Sequence, residues 1–239
     1  MKFLLNLPRH KKTNKMKVVI SGYGRMGHMI EEVLKERGLE CAGASEDIAA
    51  FDDAVAAESV CIDFTTPDAF RANYKALARK FKAVVVGTTG WNDIAEEVKR
   101  CFAENGTTLI YASNFSIGVN VTFAAARLAA KLLGGEGYKA SIVETHHIHK
   151  LDAPSGTAAS LGAIVGSEMG CEVPIESIRT GEVAGIHELS FESLCDKITI
   201  THEAFSRKGF AEGAVAAALM TEGLSGVHEF KDLICNNCF

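Results

Sequence analysis

Short apolar runs alternate with amphipathic stretches through the first half of the chain. The first run, residues 17–21, is rich in β-branched side chains and ends at Gly22. Apolar side chains then recur at helical spacing as far as Gly38, which is a natural helix stop. Further strands are predicted at 41–44, 59–64, 83–87 and 108–112, and helices at 47–57, 67–80 and 91–104. This alternation predicts βαβ units that build a parallel sheet.

The pattern changes after Ala112, where longer helices meet strands that do not alternate with them. Helices are predicted at 119–133, 157–169 and 210–220, and strands at 139–144, 188–191 and 196–202. The predicted fold class is therefore α/β: a Rossmann dinucleotide-binding domain over 16–114 and a second, smaller α+β substrate domain over 115–207. Residues 1–15 are expected to be a disordered extension, with Met16 as an alternative start.

Composition narrows the function. Apolar residues make up 47% of the chain and charged residues 23%, which is ordinary for a globular protein. The net charge of −5 disfavours a nucleic-acid partner. No run approaches the roughly 20 apolar residues that a membrane helix needs. The seven cysteines are odd in number and several lie in apolar runs, so we expect reduced thiols and a cytoplasmic location.

A glycine motif opens the first helix. Gly22, Gly24 and Gly27 form G-x-G-x-x-G directly after a strand, where they allow a tight turn, close approach of a pyrophosphate and close helix packing. Glu46 follows the second strand, where an acid would bond the adenosine ribose. Asp47 adds a second carboxylate that would repel a 2′-phosphate, so the sequence favours NADH.

Two alternatives stay open at the cofactor motif. Arg25 can reach a 2′-phosphate, which leaves NADPH as the second candidate. Glu46 and Asp47 can instead be a solvated loop or a helix cap. Two later loops follow the fourth and fifth strands, where open α/β sheets bind ligands, and are placed to touch the nicotinamide and its ribose. Their residues are Gly87, Thr88, Thr89 and Ala112, Ser113, Asn114, Phe115.

The segment 144–158 concentrates titratable side chains. His146, His147, His149 and Lys150 lie within five residues. Histidine titrates near neutrality, so His146 or His147 can donate a proton, and Lys150 adds a fixed positive charge. A helix start follows at Pro154, where Ser155, Gly156 and Thr157 would present N–H and hydroxyl groups to an anion such as a carboxylate.

Two other interpretations of this segment compete with that one. The histidines lack the HExxH frame of a zinc site, and a lysine beside a metal ion is unfavourable, so no metal is predicted. A solvated polar loop is the remaining alternative. The acid–base and carboxylate-binding interpretation is favoured over both.

The segment E-x-H-H-x-x-K-x-D-A-P-S-G-T-A resembles the signature of the dihydrodipicolinate reductase family, also called 4-hydroxy-tetrahydrodipicolinate reductases. Four other motifs are similar to that family and stand in the same order. They are the glycine loop, C-I-D-F-T-x-P at 61–67, V-G-T-T-G at 86–90 and S-N-F-S-I-G-V-N at 113–120. The resemblance covers residues 17–235. Asp47 departs from it, since some members carry an arginine there.

The resemblance implies roles for individual residues. His146 and Lys150 match the catalytic histidine and the proton donor, and His147, Gly156 and Thr157 match substrate-binding positions, with Ser155 beside them. The cofactor positions it implies are Gly22, Tyr23, Gly24, Arg25, Met26, Gly27, Glu46, Gly87, Thr88, Thr89, Ala112, Ser113, Asn114 and Phe115. It further implies reduction of 4-hydroxy-tetrahydrodipicolinate in lysine biosynthesis, a homotetramer joined through the second domain, and a segment 208–239 that returns to the Rossmann domain. The alternatives are another two-domain Rossmann reductase of a small dicarboxylate and a non-catalytic nucleotide sensor.

Overall fold

The computed structural model describes residues 16–235, so the predicted disordered extension at 1–15 lies outside the described residues. The chain divides into two compact units. The first runs to Ser113 and takes up Ala214–His228, and the second comprises Asn114–Gly213 and the residues from Glu229 onward. The predicted domain boundaries stay a prediction. No helix among the described residues is long and apolar enough to cross a membrane.

A six-stranded sheet forms the first unit, in the order β10-β5-β4-β3-β1-β2. The pairs among β1 to β5 are parallel. The strands are β1 Lys17–Ser21, β2 Glu40–Ser45, β3 Ser59–Asp63, β4 Ala83–Val86, β5 Thr108–Tyr111 and β10 Val227–Glu229. The helices that connect the first five are α1 Arg25–Glu36, α2 Asp53–Glu58, α3 Pro67–Lys80 and α4 Ala95–Glu104. The predicted α/β class and parallel sheet are confirmed.

Local sequence explains where these helices begin. The hydroxyl of Thr66 accepts the Ala69 N–H at 3.2 Å, and Pro67 occupies the first turn, where its missing N–H costs nothing. The buried faces of α3 and α4 pack on β3, β4 and β5. Their core includes Phe70, Leu77, Val84, Phe102 and Leu109.

The single helix predicted at 47–57 is wrong. A short 3-10 helix, Ile48–Ala50, and α2 replace it, separated by Phe51 in an extended conformation. The side chain of Asp47 caps the first piece and that of Asp52 caps the second. Burial of Phe51 against Phe81 holds the break, with the two ring centroids 6.1 Å apart.

The second unit has a four-stranded sheet in the order β7-β6-β8-β9. Its strands are β6 Lys139–His146, β7 Ile175–Arg179, β8 Ile186–Glu192 and β9 Lys197–Glu203. Its helices are α5 Ile117–Leu133 and α6 Gly156–Met169, and their apolar sides share a core with the inward side chains of β6 and β8. Pairing of β6 with β7 is parallel, while β6 with β8 and β8 with β9 are antiparallel.

Two further helices complete the described chain. The sequence pattern predicted one of them but missed three of the observed elements. Helix α7, Lys208–Met220, contributes residues to both units, and α8, Phe230–Cys235, follows β10. The elements that were not predicted are β7, β10 and α8. Strand β10 has three residues and α8 has six, too few for a periodic pattern. In β7 the alternation is masked, because Ser177 and Arg179 occupy half-buried positions and Ile178 occupies an exposed one.

Candidate active site

The glycine loop of the first unit has the shape that a dinucleotide requires. Gly22 has φ +91, and a Cβ there would lie 2.3 Å from the Phe64 carbonyl oxygen. A Cβ on Gly27 would lie 2.3 Å from the Gly22 carbonyl oxygen, so α1 packs directly on the turn. A Cβ on Gly24 would meet nothing within 4 Å, which leaves space beside the loop. The loop therefore fits a pyrophosphate that approaches the backbone closely.

The start of α1 is a suitable anion site. Gly24 provides no side-chain cap, and the first turn holds no acidic residue. The first N–H groups of a helix have no intrahelical partner and carry partial positive charge. Arg25 is exposed at this end and Met26 is half-buried. The side chain of Tyr23 instead turns back along α1, where its hydroxyl donates to Glu31 and its ring lies 4.0 Å from that of His28. Tyr23 therefore shapes the loop.

A buried carboxylate ties the loop ends of three strands together. Asp63, at the end of β3, accepts the Ser21 hydroxyl at 2.7 Å, the Thr88 hydroxyl at 2.6 Å and the Thr65 hydroxyl at 3.1 Å. Burial raises the pKa of Asp63, and these hydrogen bonds oppose the rise. The residue was part of a motif in the sequence, but only the structure gives it this linking role.

The loop after β4 is partly structural. A Cβ on Gly87 would lie 2.1 Å from the Phe64 ring, so only glycine fits. The Thr88 hydroxyl is engaged by Asp63 and by the Thr65 N–H, and its carbonyl accepts the Trp91 indole N–H at 2.6 Å. Thr89 is exposed. Of the three predicted cofactor residues in this loop, Thr89 has the freest side chain.

The residues after β5 are divided between the two units. Ala112 and Ser113 end the first unit, with Ala112 buried and Ser113 exposed. The Asn114 side chain accepts the Ser116 N–H at 2.8 Å, and Phe115 packs on Phe230 in the second unit. The Phe115 side chain thus belongs to a core.

The acids after β2 lie at the surface. Glu46 and Asp47 are both exposed, and the Asp47 carboxylate accepts the Ala49 N–H at 2.9 Å. Asp47 therefore serves as a helix cap, while its charge stays beside that of Glu46 at the end of β2.

In the second unit, the imidazole of His146, at the end of β6, is held by a buried carboxylate. Glu144 is fully buried, and one of its carboxylate oxygens contacts Nδ1 of His146. A carboxylate only accepts, so Nδ1 carries the hydrogen. The other oxygen accepts from Arg179 Nη2 at 2.8 Å and from the Ser155 N–H at 3.2 Å. Glu144 thus joins the end of β6, the end of β7 and the start of α6.

The electrostatics of this cluster favour an ionised glutamate and neutral histidines. Burial alone would raise the pKa of Glu144, but bonds from Arg179, Ser177, His146 and the Ser155 N–H lower it to about 2. Burial lowers the pKa of His146, against the opposing pull of Glu144, and the charges of Lys150 and Arg179 lower it further. At neutral pH, His146 is therefore an uncharged imidazole with Nε2 unprotonated.

His187 supports the helix start from the opposite strand. It lies opposite Glu144 on β8, and its Nε2 is 3.1 Å from the Ser155 hydroxyl. That hydroxyl also caps α6 by accepting the Ala158 N–H at 3.2 Å. Burial, with His146 and His202 nearby, lowers the pKa of His187 to about 4. His187 was not predicted, because it lies 41 residues from His146.

A carboxylate lies at the predicted anion site. Asp152 accepts from Lys150 Nζ at 2.7 Å, and the backbone N–H of Gly156, in the first turn of α6, helps to stabilise its negative charge. The lysine bond lowers the pKa of Asp152. Space is open beside Gly156, where a Cβ would meet nothing within 4 Å. Lys150 and the start of α6 can therefore bind a carboxylate together.

The other predicted residues of this segment lie close by. His147 is half-buried, with an Nδ1 that has no partner among the described residues, and Thr157 is half-buried in the first turn of α6. Glu144, His146 and His187 place ligand atoms within 4.8 Å of one another. Both Glu144 oxygens are already engaged, and the adjacent Arg179 charge opposes a metal cation, so we assign no metal to the cluster.

The structure thus gathers the predicted residues into two groups. The glycine loop, Glu46 and the loop after β4 lie at the ends of strands of the first unit. His146, His147, Lys150 and the start of α6 lie at one end of the sheet of the second unit. Glu144, Arg179 and His187 were missed as functional residues. The glutamate stood inside the recognised motif, while the other two gave no local signal.

Family models and relatives agree with this arrangement. The model described as "Dihydrodipicolinate reductase, N-terminus" matches residues 16–115, and "Dihydrodipicolinate reductase, C-terminus" matches 118–234. A 4-hydroxy-tetrahydrodipicolinate reductase of Christiangramia forsetii is 38% identical, over 92% of this chain and 98% of that protein. One of Paraburkholderia phymatum is 35% identical, over 92% of this chain and 99% of that protein.

A solved structure shows the same fold. The dipicolinate-bound dihydrodipicolinate reductase from Paenisporosarcina sp. TG-14 superposes with a TM-score of 0.78 at 20% identity, over 92% of this chain and all of that one. The resemblance carried by the sequence motifs is confirmed, as are the oxidoreductase class and dependence on a pyridine nucleotide. Since the two family models together cover nearly all of the described residues, the chain belongs to the dihydrodipicolinate reductase family.

Proposed function

We propose that this protein reduces 4-hydroxy-tetrahydrodipicolinate to tetrahydrodipicolinate, with loss of water, for lysine and diaminopimelate biosynthesis. The observation that carries the proposal is the Asp152 carboxylate, which pairs with Lys150 Nζ at 2.7 Å just before the open first turn of α6. A substrate carboxylate would bind the same donors and displace it. His147, Ser155 and Thr157 would complete this substrate site.

The charges of Lys150 and His146 indicate which group donates the proton. When bound, the reduced nicotinamide supplies a hydride. Lys150 donates the proton that balances it, since its Nζ is paired with the Asp152 carboxylate as an ammonium and His146 is uncharged at neutral pH. His146 presents Nε2 beside the reacting ring and shapes the field around Lys150.

For the cofactor we propose NADH in preference to NADPH. The glycine loop Gly22–Gly27 would hold the pyrophosphate, and Glu46 the ribose hydroxyls. The adjacent charges of Glu46 and Asp47, both exposed after β2, would repel a 2′-phosphate. Arg25 is the residue that would reverse this preference, because it is an exposed cation at the start of α1. The loops 87–89 and 112–115 would contact the nicotinamide and its ribose.

We further propose a homotetramer that assembles through the sheet of the second unit. Inward side chains of β6 and β8 pack on α5 and α6, but the alternate side chains point to the other face. That face carries Val143, Ile178, Ile186 and Thr201, each exposed or half-exposed. A β-branched, partly exposed sheet face is suited to association with a second copy. The cytoplasm is the proposed location, supported by five described cysteines that are all free thiols.

The decisive experiment follows nicotinamide oxidation with substrate generated in situ from pyruvate and aspartate semialdehyde by the preceding synthase. We expect substrate-dependent oxidation, faster with NADH than with NADPH. Lys150→Met should lower kcat by about 100-fold or more while NADH affinity is kept. Lys131→Met, on the exposed side of α5, is the matched control and should behave as wild type. Folded protein that binds NADH yet shows no oxidation would refute the proposed substrate.

A further inference from the structure

Arg179 is the point at which the parts of the proposed substrate site meet. It ends β7 and lies opposite His146 in the parallel register of β6 and β7. Its side chain is only 19% exposed. Its Nη2 donates to Glu144 Oε1 at 2.8 Å and to the Asp152 carbonyl at 2.6 Å, and its Nε donates to the Lys150 carbonyl at 3.4 Å. One planar cation therefore spans the carboxylate under His146 and the backbone of the segment that carries Lys150.

Glu144 extends this connection to the histidine and the helix. Its carboxylate receives Nδ1–H of His146, the guanidinium of Arg179 and the N–H of Ser155, the residue that caps α6. All of its contacts are made in the absence of solvent, since Glu144 is fully buried. Displacement of the guanidinium would thus disturb the positions of the His146 imidazole, of Lys150 and of the start of α6.

We propose that Arg179, acting through Glu144, is a positioning residue that holds His146, Lys150 and the first turn of α6 in one arrangement. The proposal rests on the proposed function, since the three parts it holds are those assigned to the reaction. Arg179 itself acts through these groups, because its donors are engaged by Glu144, by carbonyl oxygens of 150 and 152, and by the Ile178 carbonyl at 2.8 Å. A lysine would keep the charge but cannot span these acceptors, because it lacks the planar fork.

The test compares Arg179→Lys with Arg127→Met. Arg127 pairs with Glu168 at 3.8 Å in the same unit, is more exposed and lies apart from the cluster, so its variant controls for loss of an arginine. We expect Arg179→Lys to lower kcat by about 100-fold, the effect typical of a displaced catalytic group, with the KM for NADH unchanged. Arg127→Met should leave both parameters at wild-type values.

A double variant guards against unfolding. Arg179→Met alone would leave the buried Glu144 charge without a partner, so it is combined with Glu144→Gln. The double variant then lacks both charges. We expect it to fold and to keep a low kcat. In Arg179→Ala purified and assayed with guanidinium present, the added cation replaces the missing counter-charge of Glu144 and supplies the same donors, so part of kcat should return. Added guanidinium should have no effect on Lys150→Met.

Amide hydrogen exchange gives a measurement that does not depend on turnover. In Arg179→Lys, exchange over residues 147–155 should speed up by about tenfold or more relative to Arg127→Met, because two backbone anchors are lost. Wild-type kcat in Arg179→Lys overturns the proposal, whether or not exchange changes. If the wild type does not reduce the dicarboxylate, the proposed function fails, and unchanged exchange in Arg179→Lys would then overturn the positioning role independently.

Discussion

At the scale of single residues, the environment of His146 decides what the ring can do. Glu144 fixes the hydrogen on Nδ1, and Gly185 lies against the other nitrogen. A Cβ on Gly185 would lie 2.9 Å from His146 Nε2, and its φ of +155 is a conformation that side chains rarely adopt. The ring is therefore held from two sides, and the space at Gly185 is part of the site.

Gly185→Ala should lower kcat by about 10-fold or more, because the new methyl group must displace the imidazole. The matched control is Gly181→Ala in the same connection between β7 and β8. Gly181 also has a positive φ, of +50, but a Cβ there would meet nothing within 4 Å. Both variants carry backbone strain, but only Gly185→Ala places a methyl group against His146. The difference between their kcat values in steady-state kinetics therefore measures the effect of that contact. Equal kcat values in the two variants would contradict the argument.

The buried His187 should make stability depend on pH. Its pKa is about 4 in the folded protein against an ordinary 6.5, so the unfolded chain binds the proton more readily. Its contribution is fully present above pH 6.5 and is lost as the pH falls towards 4. The difference corresponds to roughly 3 kcal/mol.

Urea unfolding between pH 7 and pH 4 measures this dependence. His187→Asn should flatten the curve in that window, although it also lowers stability at pH 7 by loss of packing. His28→Gln changes an exposed histidine and should leave the shape of the curve unaltered. A wild-type stability that does not fall below pH 6.5 would be inconsistent with a neutral, buried His187.

At the scale of elements, the start of α6 is where local signals and tertiary contacts coincide. Ser155 caps the helix, Lys150 precedes it, and the Asp152 carboxylate pairs with Lys150 and is stabilised by the nearby Gly156 N–H. A side-chain carboxylate that occupies the donors competes with any carboxylate ligand. The loop thus carries an internal competitor for the substrate it is proposed to bind.

Asp152→Asn should therefore tighten dicarboxylate binding. We expect the Kd for dipicolinate to fall by about tenfold, because removal of the charge frees Lys150 and lessens repulsion. Isothermal titration calorimetry measures this directly. Glu182→Gln removes one exposed negative charge from the neighbouring turn without touching α6, and it should leave the Kd near the wild-type value. A weaker affinity in Asp152→Asn would show that Asp152 supports the site.

At the scale of the whole molecule, the sheet of the second unit presents a face that its own helices do not cover. Val143, Glu188 and Thr201 lie in one cross-strand row on that face. Val143 and Glu188 are half-exposed and Thr201 is exposed. Association of copies through this row would bury it.

Thr201→Arg should break the proposed tetramer, since a long cation in the middle of a sheet-to-sheet contact has to be desolvated. Light scattering after size-exclusion chromatography should show a molar mass below that of the wild type. Ser160→Arg places the same side chain on the exposed side of α6 and should not change the mass. If both variants remain tetrameric, the interface does not include this face of the sheet.

The sequence by itself determined most of the first unit and the segment from which the active-site residues are proposed. Strand–helix alternation is a local property, so β1 to β5 and α3 were predicted close to their observed bounds. The glycine loop and the segment 144–158 carry their chemistry within a few residues. Because His146, Lys150 and Ser155 lie within ten residues of one another, the sequence pattern is enough to propose them as one site.

Only the tertiary structure decided which distant residues join them. Arg179 and His187 reach the site because β7 and β8 flank β6 in the sheet, in registers that set them opposite His146 and Glu144. Strand pairing depends on packing across the whole sheet, which no short pattern encodes. The charge states of the cluster follow from the same burial, and burial is a property of the folded chain.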